Sequence, residues 1–296
     1  FSGIDPLDLN PQQLAKNALS SEYLVGIASK VLSFDPSTSK DIQQITQNIV
    51  PTPSPSPLGT PIFRFAVVAD SHNDNNGLEK ALNQAKAEGV KFVVGLGDYT
   101  DVGTEQELNE AKKRFEASGI AYYSTAGDHD LWDARNRQQA AITTFADIFG
   151  VSYTSFGYDN TRIILIDNSD NYLGIDGIQE QWIEQELIKA SQSAKVIFVF
   201  SHSPFYHPSS DHVYGKVEAK FKQQADQLLN WFKQYQVSEV IAGDTHVWSQ
   251  YTEPRTNLKM TTIGAVTSSR NTQNPRFAII DVYDSGQYTI EDIEIK

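Results

Sequence analysis

Along residues 62–296, short apolar runs of strand length alternate with stretches whose apolar positions recur every three or four residues. The runs predict strands at Phe63–Ala69, Phe92–Leu96, Tyr122–Thr125, Ile163–Ile166, Val196–Phe200 and Val240–Ala242. The periodic stretches predict helices near Gly77–Glu88, Glu105–Ser118, Gln138–Ile148, Ile178–Ser191 and Val217–Tyr235. Such alternation is the mark of an α/β domain with a mostly parallel sheet. Beyond His246 the helical stretches stop. Four alternating segments follow, Val247–Thr252, Leu258–Ile263, Phe277–Val282 and Tyr288–Ile293, which predicts an antiparallel end to the sheet system.

Residues 1–61 follow another pattern. Asn10-Pro11 provides a helix start, after which Ala15, Leu19, Tyr23, Ile27 and Val31 form an apolar row at a spacing of four; Ile42, Ile45 and Ile49 form a shorter row after Asp41. The run Pro51-Thr-Pro-Ser-Pro-Ser-Pro57 is extended and semi-rigid by composition. The expected organisation is an N-terminal helical segment at 1–50, a Pro/Ser-rich linker at 51–61 and one large domain at 62–296. The helices either pack on that domain or serve as a stalk or oligomerisation element. The pattern sets no oligomeric state.

Composition narrows the partners. Of 296 residues, 40% are hydrophobic, enough for a sizeable core and unlike a disordered chain. Lys and Arg number 24 against 37 Asp and Glu, a net charge of −13, and the basic residues form no run, so no nucleic-acid patch is expected. An anionic substrate therefore needs bound cations to receive it. The absence of cysteine excludes thiolate nucleophiles, zinc–thiolate sites and disulfides. Every apolar run is too short for a transmembrane segment. The chain starts at Phe1 rather than Met, which together with the linker predicts an extracellular, periplasmic or membrane-anchored ectodomain, with a cytoplasmic protein as the alternative.

The candidate chemistry lies where the predicted strands end. The first three run into Asp70-Ser71-His72, into Gly97-Asp98 followed by Asp101, and into Gly127-Asp128-His129-Asp130. Two later ones run into Ser201-His202-Ser203-Pro204 and Gly243-Asp244-Thr245-His246. Each Asp/Gly pair taken singly reads as turn chemistry. Five in succession at the carboxyl ends of strands converge on one crevice. Carboxylate plus imidazole without thiolate suits borderline to hard divalent ions. Two such ions bridged by a carboxylate can clamp a phosphoryl oxygen and activate water for in-line attack.

The series Asp70-x-His72, Gly97-Asp98-x-x-Asp101, Gly127-Asp128-His129-Asp130, His202-x-Pro204 and Gly243-Asp244-x-His246 resembles the calcineurin-like metallophosphoesterase superfamily, over residues 62 to about 290. The resemblance implies a four-layer α/β/β/α sandwich with a dinuclear metal centre that hydrolyses a phosphoester through a metal-activated hydroxide. It implies that Asp70, His72 and His246 hold one ion, that Asp98 bridges both, and that Asp128, His202 and Asp244 complete the other. It makes His129 the catalytic residue and Asp130 the group that orients it.

Two positions depart from that family's pattern, which has Asn where Asp128 stands and His where Asp244 stands. Four ionised aspartates then cancel the charge of two divalent ions. Two consequences are expected. A less anionic substrate, a diester rather than a monoester, is favoured. Among Mn, Fe, Zn and Ni, as divalent or mixed-valence ions, Mn or Fe suits the harder second site. The same change leaves open a protonated Asp128 or Asp244, or an unfilled second site in a hydrolysis-deficient metal- or ligand-binding relative. A cell-surface adhesion or scaffold module rests only on the Pro/Ser-rich linker and the N-terminal helices. The substrate itself would be a phosphoester small molecule or an exported phosphorylated partner.

Further candidates flank the motifs. His207 and His212 lie in the long loop after His202 and read as a substrate wall or as plain surface histidines. Asn73 touches substrate or completes a solvated turn, and Tyr99, within the second motif, is a third substrate-binding candidate. Arg135 and Arg137 hold a phosphate fork-wise or begin a solvated helix, and Trp132, Trp182, Trp231 and Trp248 read as packing residues, with Trp132 the exception to test because it follows the His129 motif.

Overall fold

The computed structural model describes residues 59–296 except 217 and 219. The helices expected within 1–50, and residues 51–58 of the expected linker, lie outside that range. In chain order the elements are β1 (Phe63–Val68), α1 (Asn75–Ala87), β2 (Phe92–Gly95), α2 (Glu105–Ser118), β3 (Ala121–Ser124), α3 (Trp132–Asn136), α4 (Thr143–Phe149), β4 (Thr154–Tyr158) and β5 (Thr161–Leu165). There follow α5 (Gly177–Ser193), β6 (Val196–Ser201), α6 (Lys220–Gln234), β7 (Glu239–Ala242), β8 (Ser249–Thr252), β9 (Lys259–Thr262), β10 (Arg276–Val282) and β11 (Tyr288–Glu294). A single 3-10 turn over His129–Leu131 leads into α3.

Two mixed sheets result, with strand orders β11-β10-β1-β2-β3 and β4-β5-β6-β7-β9-β8. Side-chain alternation explains the continuous apolar runs. In β1, Phe63, Phe65 and Val67 enter a core shared by both sheets, while Ala66 and Val68 pack with α1, α2 and α4. In β6, Phe198 and Phe200 enter the shared core, while Ile197 and Val199 pack with α5 and α6. Central strands are thus covered on both faces, and the layers are helix, sheet, sheet, helix as expected. Phe65 meets Phe198 and Phe200 edge-on at 5.9 and 6.1 Å between centroids, and full burial of each ring contributes about 1.5–3 kcal/mol.

Local chemistry sets the helix ends. At α2, the Thr104 side chain accepts from the Glu107 backbone while Glu107 reaches back to Thr104, and Gly119 at φ 69 ends the helix. At α5, Asp176 accepts from the backbone of Ile178 and Gln179.

Three features differ from expectation. The helix expected at Gln138–Ile148 is replaced by α3 and α4, because Gln138 takes φ 59 and breaks the helical path between them. Strand β4 has no counterpart in the sequence reading; it is a partly exposed edge with Gly157 inside it, so it shows neither an apolar run nor a clean alternation. The closing segments do not form one antiparallel end. Strand β9 joins the second sheet parallel to β7, whereas β10 and β11 join the first sheet antiparallel.

Candidate metal centre

The loops after β1, β2, β3, β6 and β7 bring their acidic and histidine side chains together, although the strands belong to two sheets. Close backbone approach makes this possible. A Cβ on Gly97 would lie 2.2 Å from the Gly127 nitrogen, and one on Gly127 would lie 2.1 Å from Asp98 Oδ1, so neither position admits a side chain. Asp70, His72, Asp98, Asp244 and His246 all adopt positive φ, a conformation that Asp, Asn and His tolerate better than other non-glycine residues.

Two donor groups share Asp98. One is Asp70, His72, Asp98 and His246; the other is Asp98, Asp128 and His202; within each, the ligand atoms lie within 4.8 Å of one another. His202 Nε2 stands 3.5 Å from both Asp98 Oδ1 and Asp128 Oδ1. His72 Nε2 and His246 Nε2 face each other at 3.1 Å. The backbone fixes the ring orientations: His202 Nδ1 donates to the Leu96 carbonyl at 2.8 Å and His246 Nδ1 to the Arg270 carbonyl at 3.1 Å. Both rings therefore turn Nε2 inward, as metal-ligating histidines do.

The electrostatics call for cations. Asp70 Oδ2, His72 Nδ1 and His202 Nε2 are buried without a hydrogen-bond partner, a costly arrangement for polar atoms. Burial pushes Asp70 up to about 6 and Asp98 well above the carboxylate range. Burial disfavours charge on His202, yet Asp98, Asp128, Asp244 and Asp70 together raise it well above the histidine range. For His72, burial and the neighbouring His246 act in the same direction and push it down to about 3. Carboxylate and imidazole donors with buried, unpartnered atoms fit divalent metal ions.

Residues 63–248 match the family of calcineurin-like phosphoesterases. The chain belongs to that family. Among solved structures, a dimetal phosphatase from Danio rerio is 16% identical, with a TM-score of 0.62 over 80% of this chain and 99% of that one. A purple acid phosphatase from yellow lupin (Lupinus luteus) seeds is 14% identical, with a TM-score of 0.56 over 81% of this chain and 53% of that one. The Plasmodium inner membrane complex anchor GAP50 is 17% identical, with a TM-score of 0.53 over 79% of this chain and 89% of that one. At these identities the likeness is one of fold. No curated protein matches the chain.

This calcineurin-like phosphoesterase is thus a phosphoric ester hydrolase by family, and a cavity of about 530 Å³ opens over its donor groups. His129 lines that cavity. Its Nδ1 donates to the Asp101 carbonyl at 2.7 Å, its ring stacks on Trp132 at 4.0 Å, and its Nε2 meets Arg270 Nη1 at 3.2 Å. Asp130 does not orient His129. It is fully buried and accepts from Gly127 N, Thr100 N and Thr100 Oγ1, tying two ligand loops together.

Asp244 stands outside both donor groups. Its Oδ2 accepts from Ser203 Oγ at 2.7 Å, and its Oδ1 lies 3.4 Å from His212 Nδ1. Burial would raise its pKa, but hydrogen bonds from His212 and Ser203 and the charge of His202 hold it far below the carboxylate range. Burial likewise opposes ionisation of Asp128, and the His202 ring 3.5 Å away outweighs that and lowers its pKa. In both groups the neighbouring donors and the His202 charge favour the ionised form.

The three substrate-binding candidates all lie elsewhere. Tyr99 is 1% exposed and packs on Phe115 and Phe149, because its ring points to the helical side of the first sheet. Asn73 spends its amide on Asp101 and Glu107. His207 bonds Ser249 and the backbone of Ser210 and lines a neighbouring cavity. Its companion His212 lines the reaction cavity instead, together with Lys216 and Arg270. Arg270 carried no sequence signal, since it sits in the long loop between β9 and β10 with no motif around it. Arg135 and Arg137 pair with Asp170 and Asp133 rather than facing the cavity.

Proposed function

We propose that this chain hydrolyses a phosphodiester at a two-cation centre held by Asp70, His72, Asp98, Asp128, His202 and His246, with Mn or Fe as the ions. The observation that carries the reading is the sharing of Asp98 by two donor groups on the floor of the cavity that His129 lines. Bound there, the ions supply positive charge for phosphoryl oxygens and Lewis acidity toward water. The chain's own residues do the rest. Asp98 and Asp128, fixed by the backbone amide of His129 and by His202, hold the donor atoms in place. His129, its Nδ1–H donating to the Asp101 carbonyl, directs Nε2 at the leaving-group oxygen; Nε2 takes a proton from solvent and passes it to that oxygen as the ester bond breaks.

The diester preference follows from charge. With Asp244 turned to Ser203 and His212, three ligand aspartates remain, one more than in the pattern with Asn at the Asp128 position. The centre attracts a phosphate monoanion adequately and a dianion less than that pattern would. Protein loaded with Mn is expected to cleave bis(4-nitrophenyl) phosphate faster than 4-nitrophenyl phosphate, and His129→Ala and Asp98→Ala to lower the rate by about 10²-fold or more. Activity that survives both substitutions would refute the mechanism.

The position of Asp244 supports a second reading, in which three protein donors leave the second ion weakly held and the chain binds ligands without hydrolysis. One Mn per chain at saturation, with neither ester cleaved, would favour it; two ions per chain with turnover would exclude it.

A further inference from the structure

Arg270 stands apart from every other arginine among the described residues. In a chain with 37 acidic against 24 basic side chains, each of the others pairs with an aspartate or glutamate. Arg270 pairs with none among the described residues. Its guanidinium donates to the ring nitrogen His129 Nε2 at 3.2 Å, and it lines the cavity over the donor groups. The remaining guanidinium N–H groups have no acceptor among the described residues.

Its position is built. The backbone takes φ 56, which a residue with this side chain adopts at a cost. The Arg270 carbonyl accepts from His246 Nδ1 at 3.1 Å, so the residue is tethered to the metal-site histidine on one side and to His129 on the other. His129 is itself clamped between the Asp101 carbonyl and the Trp132 ring. A planar fork of donors is thereby held beside the atom proposed to serve the leaving group.

We infer that Arg270 is a substrate-binding residue for the scissile phosphoryl group. Its guanidinium exchanges the weak acceptor His129 Nε2 for a non-bridging phosphoryl oxygen, a charge-assisted and potentially bidentate contact. The exchange also frees Nε2, so that phosphate binding exposes the nitrogen that acts on the leaving oxygen. The ligand class is a phosphate ester carrying at least one anionic oxygen, next to the ester oxygen that departs. The inference rests on the hydrolytic reading for its second part, and on cavity geometry alone for its first.

The test uses protein loaded with Mn and two probes, inorganic phosphate by calorimetry and bis(4-nitrophenyl) phosphate by initial rates. Arg270→Ala removes the fork. Arg270→Asn removes it with a residue that tolerates the left-handed backbone. Arg270→Lys keeps the charge without the fork, and Arg114→Ala controls for loss of a cation on the outer face of α2. Phosphate affinity is expected to fall about tenfold to a hundredfold in the Ala and Asn variants, with KM rising in parallel, partial recovery in the Lys variant and an unchanged Mn content. Unaltered phosphate affinity and KM in both the Ala and Asn variants would overturn the inference while leaving the hydrolytic reading intact. Phosphate binding that depends on Arg270 in a wild type that cleaves neither ester would overturn the hydrolytic reading and sustain the inference. Wild type that binds no phosphate and cleaves neither ester would overturn both.

Discussion

Six of the eleven described non-glycine residues at positive φ belong to the loops that carry the proposed ligands: Asp70, His72, Asn73, Asp98, Asp244 and His246. Left-handed backbone costs about 1–3 kcal/mol per residue where it is not relieved, so the surrounding contacts must hold these loops in place. Asp130 is one such contact, and Gly127 is another, since any side chain there would strike Asp98. Gly127→Ala is therefore expected to displace the carboxylate shared by both donor groups and to lower the Mn bound per chain, measured by metal analysis on a variant that still melts cooperatively. Wild-type stoichiometry in that variant would show that the loop accommodates the methyl group. At this scale the metal-site residues were legible because each follows an apolar strand within a few positions. Tyr99 was misplaced for the same reason: adjacency to Asp98 in sequence puts its ring on the opposite face of the loop, in the core.

Among the elements, β4 and β5 are tied to α5 by one buried acid. Glu186 accepts from Ser155, Arg162 and Lys189. Burial opposes its charge, yet these donors lower its pKa to about 2. The folded value lies below the unfolded one, so the contribution is present above about pH 4.5 and is lost as pH falls toward 2. Wild type should melt above Glu186→Gln at pH 6, and the gap should narrow steadily on acidification; a gap independent of pH would mean that Glu186 contributes through packing alone. The element scale also shows where pattern reading stops. Helices with caps and strands covered on both faces announce themselves, whereas β4, a half-exposed edge, and the break at Gln138 depend on neighbours and on one backbone angle.

For the whole molecule, buried carboxylates set against each other at one rim of a sandwich must weigh on stability unless cations offset them. Mn is expected to raise the melting temperature, and EDTA to reverse it, with about 2.7 kcal/mol gained at a hundredfold excess over the dissociation constant. No change in melting on chelation of loaded protein would argue that metal binds equally well to the unfolded chain. By itself the sequence determined the layer pattern and the metal-site motifs, because both are short-range: alternation follows from strand geometry, and each ligand pair follows its own strand. Tertiary structure alone decided that Asp244 turns to Ser203 and His212, that His212 rather than His207 enters the cavity, and that Arg270 meets His129 from 141 residues away. Those contacts join loops distant in sequence, and their partners are selected by packing, which leaves no periodic trace in the chain.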